Sequence, residues 1–221
     1  MSIRRRLMLQ VGKSDPYDNM GYIKAGKIFH LDGINKGDTE GAWTDLVGGI
    51  VYTNYNVTAI ENGWSFPGTN GVYLGKSGTQ FSPSANRTIE VCFYNKVEST
   101  LFLFVDGSST TNNICLIIDK TYKALFLQNQ QTYNFFPTKD NPHCVSLNLD
   151  KGLYDGSEVQ KSTSTYWGSS DYSYIGRRNR TGNPYNGYIY SIRIYDRRLS
   201  AAEMLHNQQV DNERFNLGLD I

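Results

Sequence analysis

The 221-residue chain has only seven alanines, and nowhere does it carry the run of roughly 18 apolar residues that a membrane-crossing helix requires. Scarce alanine beside 29 aromatic residues, 16 of them tyrosine, with 20 asparagines and 21 glycines, biases the chain toward strands and tight turns. That composition excludes an all-helical protein. An excess of either charge is also missing: 22 Lys plus Arg against 21 Asp plus Glu leave +1. No global basic field draws the chain to nucleic acid or anionic lipid, so the expectation is no nucleic-acid partner, no membrane insertion, and local recognition of any partner.

Cysteine is sparse too. Cys92, Cys115 and Cys144 lie 23 and 29 residues apart inside apolar runs, which matches neither zinc-ligand spacing nor a disulfide framework. The spacing predicts buried free thiols and synthesis in a reducing, intracellular setting. Sequons at Asn56, Asn86 and Asn179 read as incidental to a chain rich in Asn, Ser and Thr. The opening Met1-Ser-Ile-Arg-Arg-Arg-Leu-Met-Leu has too short an apolar stretch for a secretion signal. Arg4, Arg5 and Arg6 followed by Leu7, Met8 and Leu9 form a basic, apolar arm suited to pairing with carboxylates and filling a groove on a neighbouring subunit.

From Ala25 onward short strands alternate with turn clusters, and no linker marks a second domain. The division expected is an arm and linker over residues 1–24, one domain over 25–210 and a tail over 211–221. About eleven to thirteen strands are expected. Thr88-Ile-Glu-Val-Cys-Phe-Tyr places Ile89, Val91 and Phe93 on one face and Glu90, Cys92 and Tyr94 on the other, the pattern of a sheet buried on one side. Residues 101–105, 114–118 and 124–127 are nearly unbroken apolar runs, which fit strands covered on both sides. Trp64-Ser-Phe-Pro and Gly71-Val-Tyr-Leu-Gly read as peripheral, with Pro67 at an edge or a strand start. Tyr188-Ile-Tyr-Ser-Ile-Arg-Ile-Tyr reads as a clean alternation, with Arg193 pointing away from Ile192 and Ile194. Ser200-Ala-Ala-Glu203 is a capping box flanked by Leu199 and Met204 as a staple. It predicts one helix of two to three turns from Ala201 to near Val210, with Met204 and Leu205 buried, followed by a fraying polar end.

Tyr174-Ile-Gly-Arg-Arg, then Tyr185-Asn-Gly-Tyr-Ile-Tyr-Ser-Ile-Arg-Ile-Tyr-Asp-Arg-Arg-Leu-Ser-Ala-Ala-Glu-Met, resembles the closing segment of concanavalin A-like lectin/glucanase domains, in particular the laminin-G-like and pentraxin-like branch. Ile28-Phe-His-Leu-Asp-Gly with Trp43-Thr-Asp-Leu-Val-Gly-Gly looks like the opening of the same domain. The resemblance implies an all-β, two-sheet antiparallel jelly roll with one short C-terminal helix. The whole layout is also similar to structural proteins of bacteriophages, which implies a virion location, assembly in host cytoplasm, and a homo-oligomer in contact with other virion proteins. A cytoplasmic or an extracellular location is the alternative.

Glucanases of that superfamily carry a Glu-x-Asp-x-x-Glu strand, because retaining cleavage needs two carboxylates roughly 5 Å apart. Here Glu90 is followed two positions later by Cys92, so a glycoside hydrolase is disfavoured and no catalytic residue is expected. His30, His143 and His206 are scattered without a nucleophile or carboxylate at diagnostic spacing, and His30 reads as a hydrogen-bonded core or flank residue. No cofactor is required. Calcium stays open, since relatives bind it through loop oxygens and Asp32, Asp45, Asp106, Asp119, Asp150 and Asp155 fall at expected strand ends, where such residues usually form turns. Tyr166, Trp167, Asp171 and Tyr172 with Arg177, Arg178, Asn179 and Asn183 mix aromatic faces with hydroxyl-gripping groups, as a cell-surface glycan site or a subunit contact requires. The first expectation is a non-enzymatic virion or assembly protein with an adhesive role, and the alternative is a lectin-like carbohydrate-binding module.

Overall fold

A computed structural model describes residues 19–37, 41–78, 80–81, 86–98, 101–106, 114–119, 124–127, 131–135, 137–163, 172–177 and 184–221. The arm residues Arg4, Arg5 and Arg6, and the proposed ligand residues Tyr166, Trp167, Asp171, Arg178, Asn179 and Asn183, lie outside them. In chain order the strands are β1 (Lys27–Asp32), β2 (Ala42–Thr44), β3 (Val51–Tyr55), β4 (Thr58–Ile60), β5 (Gly63–Pro67), β6 (Tyr73–Ser77), β7 (Thr88–Asn95), β8 (Leu101–Asp106) and β9 (Ile114–Asp119). There follow β10 (Ala124–Leu127), β11 (Gln131–Asn134), β12 (Asn141–Asn148), β13 (Gly152–Tyr154), β14 (Ser157–Val159), β15 (Lys161–Thr163), β16 (Tyr172–Ile175) and β17 (Asn186–Tyr195), then the helix α1 (Ala201–Phe215). Several are three-residue strands, which is why seventeen appear where eleven to thirteen were expected.

They form two antiparallel sheets, a β-sandwich with one C-terminal helix. The eight-stranded sheet runs β14-β13-β12-β7-β17-β5-β4, with β1 also on β17, and the nine-stranded sheet runs β15-β11-β10-β9-β8-β16-β6-β3-β2. The core lies between them. Phe29, Leu31, Ile89, Val91, Phe93, Val145, Leu147, Ile192 and Ile194 face Tyr52, Leu74, Phe104, Leu116 and Ile175. Neither segment read as peripheral is so: β5 lies between β4 and β17 and sends Trp64 and Phe66 into the core, and β6 lies between β16 and β3. Pro67 is tolerated because it ends its strand. On β8, the neighbours Phe104 and Val105 point to opposite faces and both are buried, as an unbroken apolar run requires.

Strand β17 does not alternate cleanly. Its pairing with β7 shifts between Ile189 and Ser191, a bulge that absorbs one residue and lets Ile189 and Ile192 face the same core although they are three apart.

Strand β7 is buried on both faces, not one. The second cover is α1, whose capping box forms as expected, Glu203 N–H donating to Ser200 Oγ (3.3 Å) and Ser200 N–H to Glu203 Oε2 (2.8 Å). Met204 is buried and Leu205 half-buried. The helix runs five residues past Val210, to Phe215, because Asp211 and Phe215 are buried against the sheet and Arg214 pairs with Asp32. Arg193 does point to that face: its Nε donates to Glu90 Oε2 (2.9 Å), Nη1 to Asp211 Oδ1 (2.7 Å) and Nη2 to Asp211 Oδ2. Asn207 and Ser146 also donate to Glu90, Gln208 donates to Ser146, and Tyr22 O–H donates to Asp211 Oδ1 (2.7 Å). Burial raises the Glu90 pKa against the pull of Arg193, whereas the Asp211 and Glu90 charges outweigh burial and hold Arg193 well above its ordinary value.

Under the same helix Cys92 and Cys144 form a disulfide. The expectation of free thiols fails for these two because pairing follows cross-strand register rather than sequence spacing: they sit opposite each other on β7 and β12, with Cα atoms 4.4 Å apart. The side chain of Cys115 lies outside the described residues. Among the described residues no helix is long and apolar enough to cross a membrane.

Candidate functional site

On the outer face of the nine-stranded sheet, β3 and β6 pair so that Tyr55 lies opposite Tyr73 and Thr53 opposite Gly75. Alternation puts these side chains outward, because Tyr52, next to Thr53, and Leu74, between Tyr73 and Gly75, face the core. The Tyr55 and Tyr73 rings stack at 4.4 Å and 13°. The Arg177 guanidinium lies 4.2 Å from the Tyr73 centroid. Tyr55 comes from β3 and Arg177 follows β16, on opposite flanks of β6, so Tyr73 is held between them. Tyr174 closes the cluster edge-on to Tyr73 at 5.4 Å.

Gly75 makes this packing possible. A Cβ there would come 2.9 Å from Tyr73 Cε2 and 3.6 Å from Tyr174 Cδ1, so the two rings occupy the space a side chain would need. Arg177 is only 4% exposed, and its guanidinium lies against the rings of Tyr73 and Tyr174. Tyr55 is 43% exposed and forms the outermost layer. Beside it opens a cavity of about 250 Å³ lined by Thr53, Tyr55, Tyr73, Gly75, Lys76 and Ser77. The arrangement offers a rigid aromatic face next to hydroxyl and amine groups, with no carboxylate among the described lining residues.

Of the ligand residues singled out in the sequence, Arg177 has a described side chain here, whereas that of Tyr172 lies outside the described residues. Arg177 backs the stack, and Tyr172 pairs in register with Ser77 of the cavity wall. Tyr55 and Tyr73 were missed. The signal available was the alternation Val51-Tyr-Thr-Asn-Tyr55, which puts a tyrosine on the solvent side of a strand.

The aspartates singled out in the sequence whose side chains are described are engaged structurally. Asp32 Oδ1 accepts from the N–H of Ile34 and Asn35, and Asp106 accepts from the N–H of Gln80 and Phe81. Asp45 accepts from His30, Val47 and Gly48, and its pKa is raised by burial against those bonds. Asp150 pairs with Arg198, and the side chain of Asp119 lies outside the described residues. His143, expected to lack a carboxylate partner, has one: Asp155 Oδ2 lies 2.7 Å from Nδ1, supplied by the turn after β13. His30 is buried but not hydrogen-bonded through its ring; its Nε2 lies 3.8 Å from Asp32 Oδ2, and burial lowers its pKa. One set of metal-ligating atoms converges among the described residues, from Cys92, Cys144 and Asp211, within 4.8 Å. It offers no ligand, since the sulfurs are joined and the Asp211 oxygens accept from Tyr22, Ser191 and Arg193.

No protein-family model and no curated protein matches the chain. Solved structures share its fold. Domain 4 of AbnA, a GH43 extracellular arabinanase from Geobacillus stearothermophilus, in complex with arabinotriose, superposes with a TM-score of 0.58 at 14% identity, over 83% of this chain and 98% of that one. Trypanosoma rangeli sialidase in complex with sialic acid gives 0.57 at 15% identity, over 85% of this chain. This chain spans only about a third (34%) of that sialidase. HCR/D gives 0.57 at 11% identity, over 83% of this chain and 52% of that one. The chain thus shares its fold with an arabinanase domain and with part of a sialidase, and the likeness is one of fold.

Proposed function

We propose that the chain is a non-catalytic, lectin-like carbohydrate-binding module whose ligand lies on Tyr55. The observation that carries this is the exposed ring of Tyr55, fixed from behind by Tyr73 and Arg177 and placed beside a polar cavity. A sugar presents C–H faces to an aromatic ring and hydroxyls to nearby donors and acceptors. Thr53, Lys76 and Ser77 supply those groups. The arabinotriose complex of the arabinanase domain supports the same reading, since that domain matches over nearly its whole length.

The non-catalytic half rests on Glu90. It is 1% exposed, covered by α1 and ion-paired to Arg193, so the strand acid nearest the glucanase position reaches no substrate. The adhesive role expected for a virion protein is compatible with this module, and the Cys92–Cys144 disulfide favours an extracellular working environment over a reducing one.

A glycan array that includes arabino-oligosaccharides, followed by calorimetry on the hits, tests the proposal. The expected result is binding that Tyr55→Ala weakens at least tenfold, about 1.4 kcal/mol, with no sugar released on prolonged incubation. Full binding by Tyr55→Ala, an array without signal, or turnover of the bound glycan would each overturn it.

A further inference from the structure

The outer face of the eight-stranded sheet is only partly roofed by α1. Beyond the helix one cross-strand row stays half-buried or exposed: Pro142, Tyr94, Tyr188, Ser65 and Thr58, in register across β12, β7, β17, β5 and β4. Their neighbours Phe93, Ile189 and Trp64 face the core, which fixes the row on the outside. Five strands at about 4.8 Å make a strip roughly 19 Å long. The Tyr94 and Tyr188 rings lie 5.4 Å apart. The β17 bulge adds Tyr190, which stacks on Phe215 at 5.8 Å. Burial, reinforced by the Tyr188 and Tyr94 phenols beside it, pushes the Tyr190 hydroxyl up to about 12.

The strip also carries a cation. Lys96 Nζ lies 4.1 Å from the Tyr188 centroid and pairs with no carboxylate among the described residues. Asp140, whose N–H donates to Asn95 next in sequence to Lys96, has its own carboxylate 3.5 Å from Lys139. An ammonium held on an aromatic face, with hydroxyls running along the strip, complements a ligand that alternates apolar C–H faces, hydroxyls and carboxylates.

We propose that this strip is a second binding site, on the opposite sheet from Tyr55, for a carboxylate-bearing polysaccharide such as a polyuronate. The chain lies across the strands with one carboxylate on Lys96. Polygalacturonate is the probe, used in affinity electrophoresis and calorimetry with the wild type, Tyr188→Ala, Lys96→Gln and Tyr55→Ala, each checked for an unchanged melting temperature. Wild type and Tyr55→Ala bind alike. Tyr188→Ala loses at least tenfold, and Lys96→Gln loses about tenfold together with most of the salt dependence. Methyl-esterified polygalacturonate binds wild type as weakly as the acid binds Lys96→Gln. The proposal falls if the ester binds as well as the acid, if polyglutamate binds equally, if no binding occurs, or if Tyr55→Ala rather than Tyr188→Ala loses the polymer. If Tyr188→Ala proves unstable, Lys96→Gln alone decides.

Discussion

Replacing Arg193 with methionine removes the one cation that Glu90 and Asp211 share. All three side chains are at most 1% exposed. Removing one partner from a buried ion pair leaves an uncompensated charge and costs about 3–5 kcal/mol, and here two carboxylates are stranded. At roughly 2–4 °C per kcal/mol for a domain of this size, the melting temperature should fall by about 6–20 °C at pH 7. The deficit should depend on pH. Burial already raises the Glu90 pKa, and without the guanidinium nothing of comparable strength opposes it. An acid whose folded-state pKa exceeds its unfolded value binds protons better when folded, so the variant loses stability as pH rises from the unfolded value through the folded one. Scanning calorimetry between pH 5 and 8 reads both effects, and the triple variant Arg193→Met, Glu90→Gln, Asp211→Asn should recover part of the loss. A melting temperature within 2 °C of wild type at pH 7, or a deficit identical at both ends of the range, would refute the reasoning.

Reducing the Cys92–Cys144 disulfide, which spans 52 residues, should lower stability by about 4 kcal/mol on the loop-entropy relation; urea melts with and without a phosphine reductant measure this, and coincident curves would show that the bond contributes nothing. Gly75→Val should drive the Tyr73 and Tyr174 rings apart and reduce glycan binding as severely as Tyr55→Ala, read by the same calorimetry. Ser200→Ala should cost about 1 kcal/mol through loss of the cap. The Glu203 carboxyl, held down to about 2 by Arg197 and the Ser200 N–H, should be visible by NMR titration. Its stabilising effect should be complete above the ordinary carboxylate range and fade as pH falls toward 2.

What could be read from the sequence was whatever depends on near neighbours. The capping box, the outward turn of Arg193 and the opposite faces of Ile89 and Glu90 follow from periods of 3.6 and 2, and each stands in the structure. What depends on register across strands was not readable. The disulfide needs Cys92 opposite Cys144, the tyrosine stack needs Tyr55 opposite Tyr73, and both pairings are set by long-range strand order. The helix was read five residues short for a related reason. Asp211 and Arg214 look solvent-facing until one knows that Arg193 and Asp32 wait beneath them. Of the expected ligand residues, Arg177 does contact the stack, although it is buried against Tyr73 rather than open to a ligand.

Strand β17, nearly the last element of the chain, pairs with β7, β5 and β1, and α1 behind it completes the burial of Glu90 and Tyr22. A ribosome delivering this chain therefore holds an unfinished sheet until β17 emerges, with β1, β5 and β7 waiting for it. Translation speed over β17 and α1, and any chaperone that shelters the open edge of β7, should bear on yield more than events over the earlier strands. Cutting the polypeptide before residue 186 would leave the eight-stranded sheet in three pieces, β14-β13-β12-β7, β5-β4 and an unpaired β1.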